Sequence, residues 1–243
     1  MAELTVSDIE FSFEVEGQSK RLRGVFGVPQ GTGPWPGVVI MHEAFGVDEE
    51  MRKHVARLAG MGYLALMPDL FSDGGFRRCI SATTRAMASG EGRAYADIES
   101  ARQTLLSDPR CTGKVGAIGF CMGGGFALMT VGTGFDAAAV NYGALPRDLE
   151  TAFEDSCPIV TSYGKKDKTL RGATATLDAV LTRKGVVHDS AEYPNAGHAF
   201  MNDRLNGPPI MRPLVRVMNF GPEPDSAKDA WSRVENFFAK YLN

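Results

Sequence analysis

The chain has 243 residues, 44% hydrophobic and 23% charged, and a net charge of −3. That makeup fits one globular α/β domain over 1–243, long enough to bury a sizeable core. No run of Lys or Arg exceeds two residues, so the concentrated basic surface needed for nucleic acid or an anionic membrane is missing.

The start, MAELTVSDIEFSFEVEG, is acidic and alternating, unlike a secretory signal. No apolar stretch reaches the ~18 residues of a membrane span. IEFSFEVEG (9–17) and KRLRGVFGVP (20–29) are expected as strands, the first from its period-2 alternation. GVVIMH (37–42) is short and nearly all apolar, as in a strand covered on both faces. EEMRKHVARLAGMG predicts a helix closed by glycine, with Met51, Val55, Leu58 and Met61 at helical spacing. YLALMPDL is the next strand, stopped by Pro68. Residues 71–92 read as irregular, rich in Gly, Ser and Thr and carrying Arg77, Arg78 and Arg85. GRAYADIESARQTLLSD then predicts a helix, KVGAIGF a strand, MGGGFALMTVG a helix and DAAAVNYG a strand. CPIVTSYG is a strand, ATATLDAVLTRKG a helix, VVHDSAEYP a strand and DSAKDAWSRVENFFAKYLN a final amphipathic helix. Strands alternating with helices imply βαβ units and a mostly parallel central sheet flanked by helices on both faces. Sites in such sheets gather at the C-terminal ends of the strands.

The cysteines, Cys79, Cys111, Cys121 and Cys157, are too few for a disulfide scaffold. None sits in a C-x-x-C pair, so neither zinc nor a thioredoxin-like motif is indicated, and a reducing, cytoplasmic setting is expected. HEAFG begins like the zinc-binding H-E-x-x-H but has Gly46 where the second ligand belongs. A dinucleotide fingerprint would need glycine at Cys121. No metal and no cofactor are expected.

Cys121 follows the strand KVGAIGF within Gly119-Phe120-Cys121-Met122-Gly123, the G-x-nucleophile-x-G form of a sharp strand-to-helix turn. The neighbours two positions away must be small because two backbones pass closely there. The thiol would stand at a helix N-terminus, where the dipole favours a negative sulfur. A buried cysteine beside packing glycines is the plainer reading of this segment alone. A thiol nucleophile also needs a base and a group to orient it. Asp167, after CPIVTSYGKK, and His198, in AEYPNAGHAF, stand beyond successive strand ends. Taken singly they read as a turn residue and a loop histidine; together, downstream of the elbow, they read as the missing partners. His54 and His188 fall inside a helix and a strand and read as structural, while His42 ends a strand beside the presumed site. Glu43 sits at a strand end among Ala44, Phe45 and Val47, an unusual place for a carboxylate without a partner.

The segments EAFGV, PDLF, GFCMGG, GKKD and AGHAF occur in that order between Gly37 and Phe200. In this the chain resembles the dienelactone hydrolase family, of the α/β-hydrolase fold. The resemblance implies a Cys121, His198 and Asp167 triad hydrolysing an ester or lactone through a thioester. It implies an oxyanion hole made by the backbone amides of Met122 and Ala44, and a role for Glu43 in activating the cysteine. The family's founding activity opens a lactone whose carboxylate is held by arginines. One of them falls where Asn202 stands here, with Arg204 two residues later; Arg77, Arg78 and Arg85 are candidates for the other. The segment 204–227 is longer and more apolar than expected and is positioned to reshape the pocket mouth. The partner expected is a small-molecule ester or lactone. The competing expectations are a non-catalytic ligand-binding or thiol-redox protein on the same fold, and a broader thioesterase or peptidase.

Overall fold

The computed structural model describes residues 4–205 and 219–243. The strands β1 (Thr5–Glu10), β2 (Arg23–Val28), β3 (Trp35–Met41), β4 (Leu64–Pro68), β5 (Cys111–Phe120), β6 (Ala137–Asn141), β7 (Ile159–Gly164) and β8 (His188–Tyr193) form a single sheet. Its eight strands run in the order β1-β2-β4-β3-β5-β6-β7-β8. Pairing is antiparallel from β1 through β2 to β4 and parallel from β4 onward. The helices are α1 (Glu49–Gly60), α2 (Phe76–Ser89), α3 (Arg93–Ser107), α4 (Met122–Met129), α5 (Leu149–Ala152), α6 (Ala173–Arg183) and α7 (Pro224–Tyr241).

The near-absence of polar residues in β3 has a direct cause. Successive side chains of a strand point to opposite faces, and here both faces are covered. Val39 and Met41 join a core with Ile98 and Leu105 of α3, Phe126 of α4 and Leu177 of α6. Val38 and Ile40 join a second core with Val55 and Leu58 of α1 and Trp231 and Phe238 of α7. The helices on the second face begin as their sequences direct. Asp48 caps α1 by accepting from Met51 N at 2.9 Å, with Glu49 and Glu50 in the positive first turn. Glu223 does the same for α7, accepting from Ser226 N at 2.9 Å, and Pro224 occupies a position where no amide hydrogen is needed.

Two expectations are corrected. The strand expected over 9–17 lies upstream, at Thr5–Glu10. Beyond Phe11, whose N donates to Leu22 O at 3.0 Å, the chain is tied to α3 instead: Phe13 O accepts from Ser100 Oγ at 2.8 Å, and Asp97 binds Ser19 N and Oγ at 2.7 and 2.8 Å. The stretch expected as irregular contains α2. Its glycines are the boundaries, with Gly75 at φ 74° and Gly90 at φ 78°, and between them Cys79, Thr83 and Ala86 are buried at helical spacing. No helix among the described residues is long and apolar enough to cross a membrane. The segment expected to reshape the pocket mouth falls mostly outside the described residues.

Candidate active site

The parallel sheet delivers its strand ends to one edge, and the chain turns most sharply after β5. Cys121 adopts φ 55° and ψ −115°, a conformation sparsely populated for any residue with a side chain. Hydrogen bonds hold it there: Cys121 N donates to Asn141 O at 3.1 Å, and Gly125 N donates to Cys121 O at 3.2 Å. The glycines around it are required by main-chain crowding. A methyl on Gly119 would overlap the Gly123 carbonyl, and one on Gly123 would overlap the Met41 carbonyl. One on Gly124 would meet Asn141 O at 2.7 Å. The half-buried thiol therefore projects from the start of α4, where Met122, its first residue, has an amide without an intrahelical acceptor.

Asp167 and His198 meet beyond the ends of β7 and β8. His198 Nδ1 donates to Asp167 Oδ2 at 2.6 Å, and Asp167 Oδ1 accepts from Thr169 N at 2.9 Å and Thr169 Oγ1 at 2.6 Å. Burial alone would raise the Asp167 pKa, but the His198 bond and charge, with the Thr169 donors, bring it below the usual carboxylate value. The imidazole is clamped by its own backbone, with His198 N donating to Asn219 O at 3.0 Å and Gly221 N donating to His198 O at 2.9 Å. Phe220 covers the ring at 4.4 Å between centroids. With Nδ1 committed to the carboxylate, the buried Nε2 is the nitrogen left for the Cys121 sulfur, which acts on the imidazole through its charge and as a hydrogen-bond partner. Burial pulls the His198 pKa down, yet the charges of the Cys121 sulfur and the Asp167 carboxylate push it up to about 10. Cys121, His198 and Asp167 are thus brought within electrostatic reach of one another.

Glu43 comes to the same place through strand register. β3 and β5 run parallel with Met41 beside Gly119, Glu43 and Cys121 each follow two residues beyond that pair, and both act electrostatically on Tyr142. The carboxylate is 2% exposed and accepts from Asn202 Nδ2 at 3.3 and 3.2 Å. His42, fully buried, donates from Nδ1 to Glu43 O at 2.7 Å and accepts at Nε2 from Leu70 N at 3.1 Å, which joins the ends of β3 and β4. Burial lowers its pKa and keeps the ring neutral for that double duty. Ala44 follows Glu43 and is half-buried at the mouth of this loop.

The arginines lie elsewhere. Arg77, Arg78 and Arg85 are exposed on α2, and among the described residues no hydrogen bond or ion pair joins them to the triad. Arg204 is engaged at the start of α1, with Nε on Glu50 Oε1 and a terminal nitrogen on Glu49 Oε1, both at 2.7 Å. The sequence reading missed Tyr142, which follows β6 at φ 42° with its ring 5.2 Å from that of His198. Its phenol is fully buried, and burial, then the Glu43 and Cys121 charges, raise its pKa well above the ordinary value. Its place one residue beyond a strand end was the signal available.

A family model described as the dienelactone hydrolase family matches residues 22–242. The carboxymethylenebutenolidase of Rhodococcus opacus is 27% identical over 225 residues, 87% of this chain and 83% of its own. The solved dienelactone hydrolase of Anabaena variabilis superposes with a TM-score of 0.73 at 18% identity, covering 100% of both chains. A dienelactone hydrolase-like promiscuous phosphotriesterase from metagenomic libraries superposes with a TM-score of 0.80 at 22% identity, again covering 100% of both. At these identities the two structures establish a shared fold.

Proposed function

The chain belongs to the dienelactone hydrolase family, and from that premise we propose that it hydrolyses a small carboxylic ester or lactone through a thioester on Cys121. The Cys121 sulfur and His198 Nε2 share one proton, and when it lies on Nε2, where the raised pKa favours it, the thiolate attacks the substrate carbonyl carbon. The oxyanion so formed is received by the backbone amides of Met122 and Ala44. Collapse of the tetrahedral adduct breaks the C–O bond, and His198 returns its proton to the departing alkoxide. Water, deprotonated by the same imidazole, then attacks the thioester and frees the acid and the thiol. Asp167 holds Nδ1 and stabilises the imidazolium throughout. Glu43 disfavours a thiolate while it stays close, and its displacement by substrate would release one.

The observation that carries this reading is the conformation of Cys121. A cysteine held at φ 55° at a helix start, beside a histidine whose other nitrogen is fixed by a buried carboxylate, is arranged for reaction rather than packing. A cytoplasmic setting goes with it, since all the cysteines are free thiols. Mixing the enzyme with p-nitrophenyl acetate should give a stoichiometric burst followed by steady turnover. Cys121→Ala should abolish both, and Cys121→Ser should lose much of the turnover, because the base and the neighbouring carboxylate are matched to a thiol. Undiminished hydrolysis by Cys121→Ala would overturn the assignment. A peroxide-sensitive Cys121 in a chain without turnover would favour a redox role.

A further inference from the structure

Behind Glu43 a row of hydrogen bonds runs into the second core. Asn202, 3% exposed, bridges the Glu43 carboxylate and His54, its Oδ1 lying 3.0 Å from His54 Nε2. The chemistry of each group fixes the direction of this row. A carboxylate only accepts, so Asn202 must turn its NH2 toward Glu43, and its contacts with both carboxylate oxygens agree. The amide oxygen is then left facing His54 and needs a donor, which requires the Nε2–H form of the imidazole. Burial favours the neutral ring: desolvation brings the His54 pKa to about 4 despite the opposing Asn202 bond. The ring is also kept from rotating, stacked on Phe120 at 4.5 Å and set against Trp231 at 5.1 Å. Other charged groups acting on His54 are Arg57, Glu50 and Asp203. Tyr142 senses both Glu43 and Cys121, which puts the carboxylate and the sulfur around one phenol.

We propose that His54 and Asn202 are positioning residues: the buried imidazole locks the amide, and the amide holds the Glu43 carboxylate in place, so setting how readily the Cys121 sulfur loses its proton in the substrate-free enzyme. This rests on Cys121 being the nucleophile. Neither residue touches the reacting atoms. Their effect is carried entirely by where the Glu43 charge sits, and that makes the idea separable from general support of the core.

The measurement is the rate of Cys121 alkylation by iodoacetamide in the full-length, substrate-free enzyme, followed across pH by mass spectrometry of the Cys121 peptide. Loosening the carboxylate removes a negative charge from beside the sulfur. His54→Phe, which keeps the stacking, and Asn202→Leu should each speed alkylation roughly fivefold or more at neutral pH and move its midpoint to lower pH. His54→Gln should restore the natural rate, because its amide N–H can reach the same acceptor. In a Glu43→Gln background neither change should matter, a non-additivity that a purely structural contribution would not produce. Natural alkylation profiles in both variants, or the same acceleration with and without Glu43, would overturn the proposal. Turnover by Cys121→Ala would instead overturn the nucleophile, so the two failures are distinguishable.

Discussion

At the scale of single residues, the Asp167–His198 pair carries the sharpest consequences. Replacing Asp167 by Asn turns an acceptor toward His198 into a group that can donate, and removes the charge that stabilises the imidazolium. kcat for p-nitrophenyl acetate should fall roughly 10²–10⁴-fold with little change in KM, by analogy with triads in which the same exchange favours the wrong tautomer. The pair also links stability to pH. The His198 proton is held up to about 10 in the folded chain, against an ordinary value of 6.5. Because the folded state binds that proton more tightly, its stabilisation is complete below about 6.5 and is lost as the pH climbs toward about 10. Asp167 works in the opposite sense: its pKa is lowered, so its contribution is present at neutral pH and disappears as the pH falls through the folded value. Urea midpoints measured across the alkaline window should drop more steeply for the natural chain than for His198→Gln. Parallel curves would mean that the His198 proton is not held more tightly on folding.

At the scale of elements, the glycines of the β5–α4 turn separate necessity from accident. Gly123→Ala would drive a methyl into the Met41 carbonyl, and main-chain atoms of a central strand cannot yield as a flexible side chain can. The variant should lose more than about 3 kcal/mol or fail to accumulate as folded protein, as read by urea unfolding. Gly60, the exposed last residue of α1, meets only Leu4 Cδ1 at 3.8 Å. Gly60→Ala should therefore stabilise by about 0.5–1 kcal/mol through helix propensity and raise Tm by a few degrees. This contrast explains what was legible beforehand. Main-chain crowding at the elbow writes itself into sequence as GFCMGGG, and strand-end placement exposes Asp167 and His198. α2 stayed hidden because serines and threonines are weak helix formers and its bounding glycines imitate loop punctuation. β1 was displaced because the alternation over 9–17 belongs to a segment anchored on α3. Asn202 was noticed only as the place of an absent arginine. Its bond to His54 joins residues 148 apart, and no local pattern announces such a meeting.

At the scale of the whole molecule, the sheet is held between two cores, and the N-terminal segment is fastened across one of them by Ser19 and Asp97. Both side chains are fully buried, and burial raises Asp97 to about 6 even though Ser19 donates to it twice. Ser19→Ala leaves a buried carboxylate short of a donor and should cost roughly 1–3 kcal/mol at neutral pH. A carboxyl group whose pKa is raised on folding loses its stabilising contribution as the pH rises through the folded value, so the deficit should shrink in acid, where Asp97 is protonated. Equal losses in urea titrations at both pH values would contradict a charged acceptor. The elbow has a longer reach. Its shape is dictated by peptide groups, which every variant of this chain keeps, and by the glycines they crowd, Gly143 beyond β6 among them, where an added methyl would meet Gly124 C at 2.3 Å. Diversity at the exposed positions 73 and 74 beyond β4 leaves those contacts alone, whereas any side chain at 143 would deform the corner that bears the sulfur. A directed-evolution library on this chain should therefore spare Gly143.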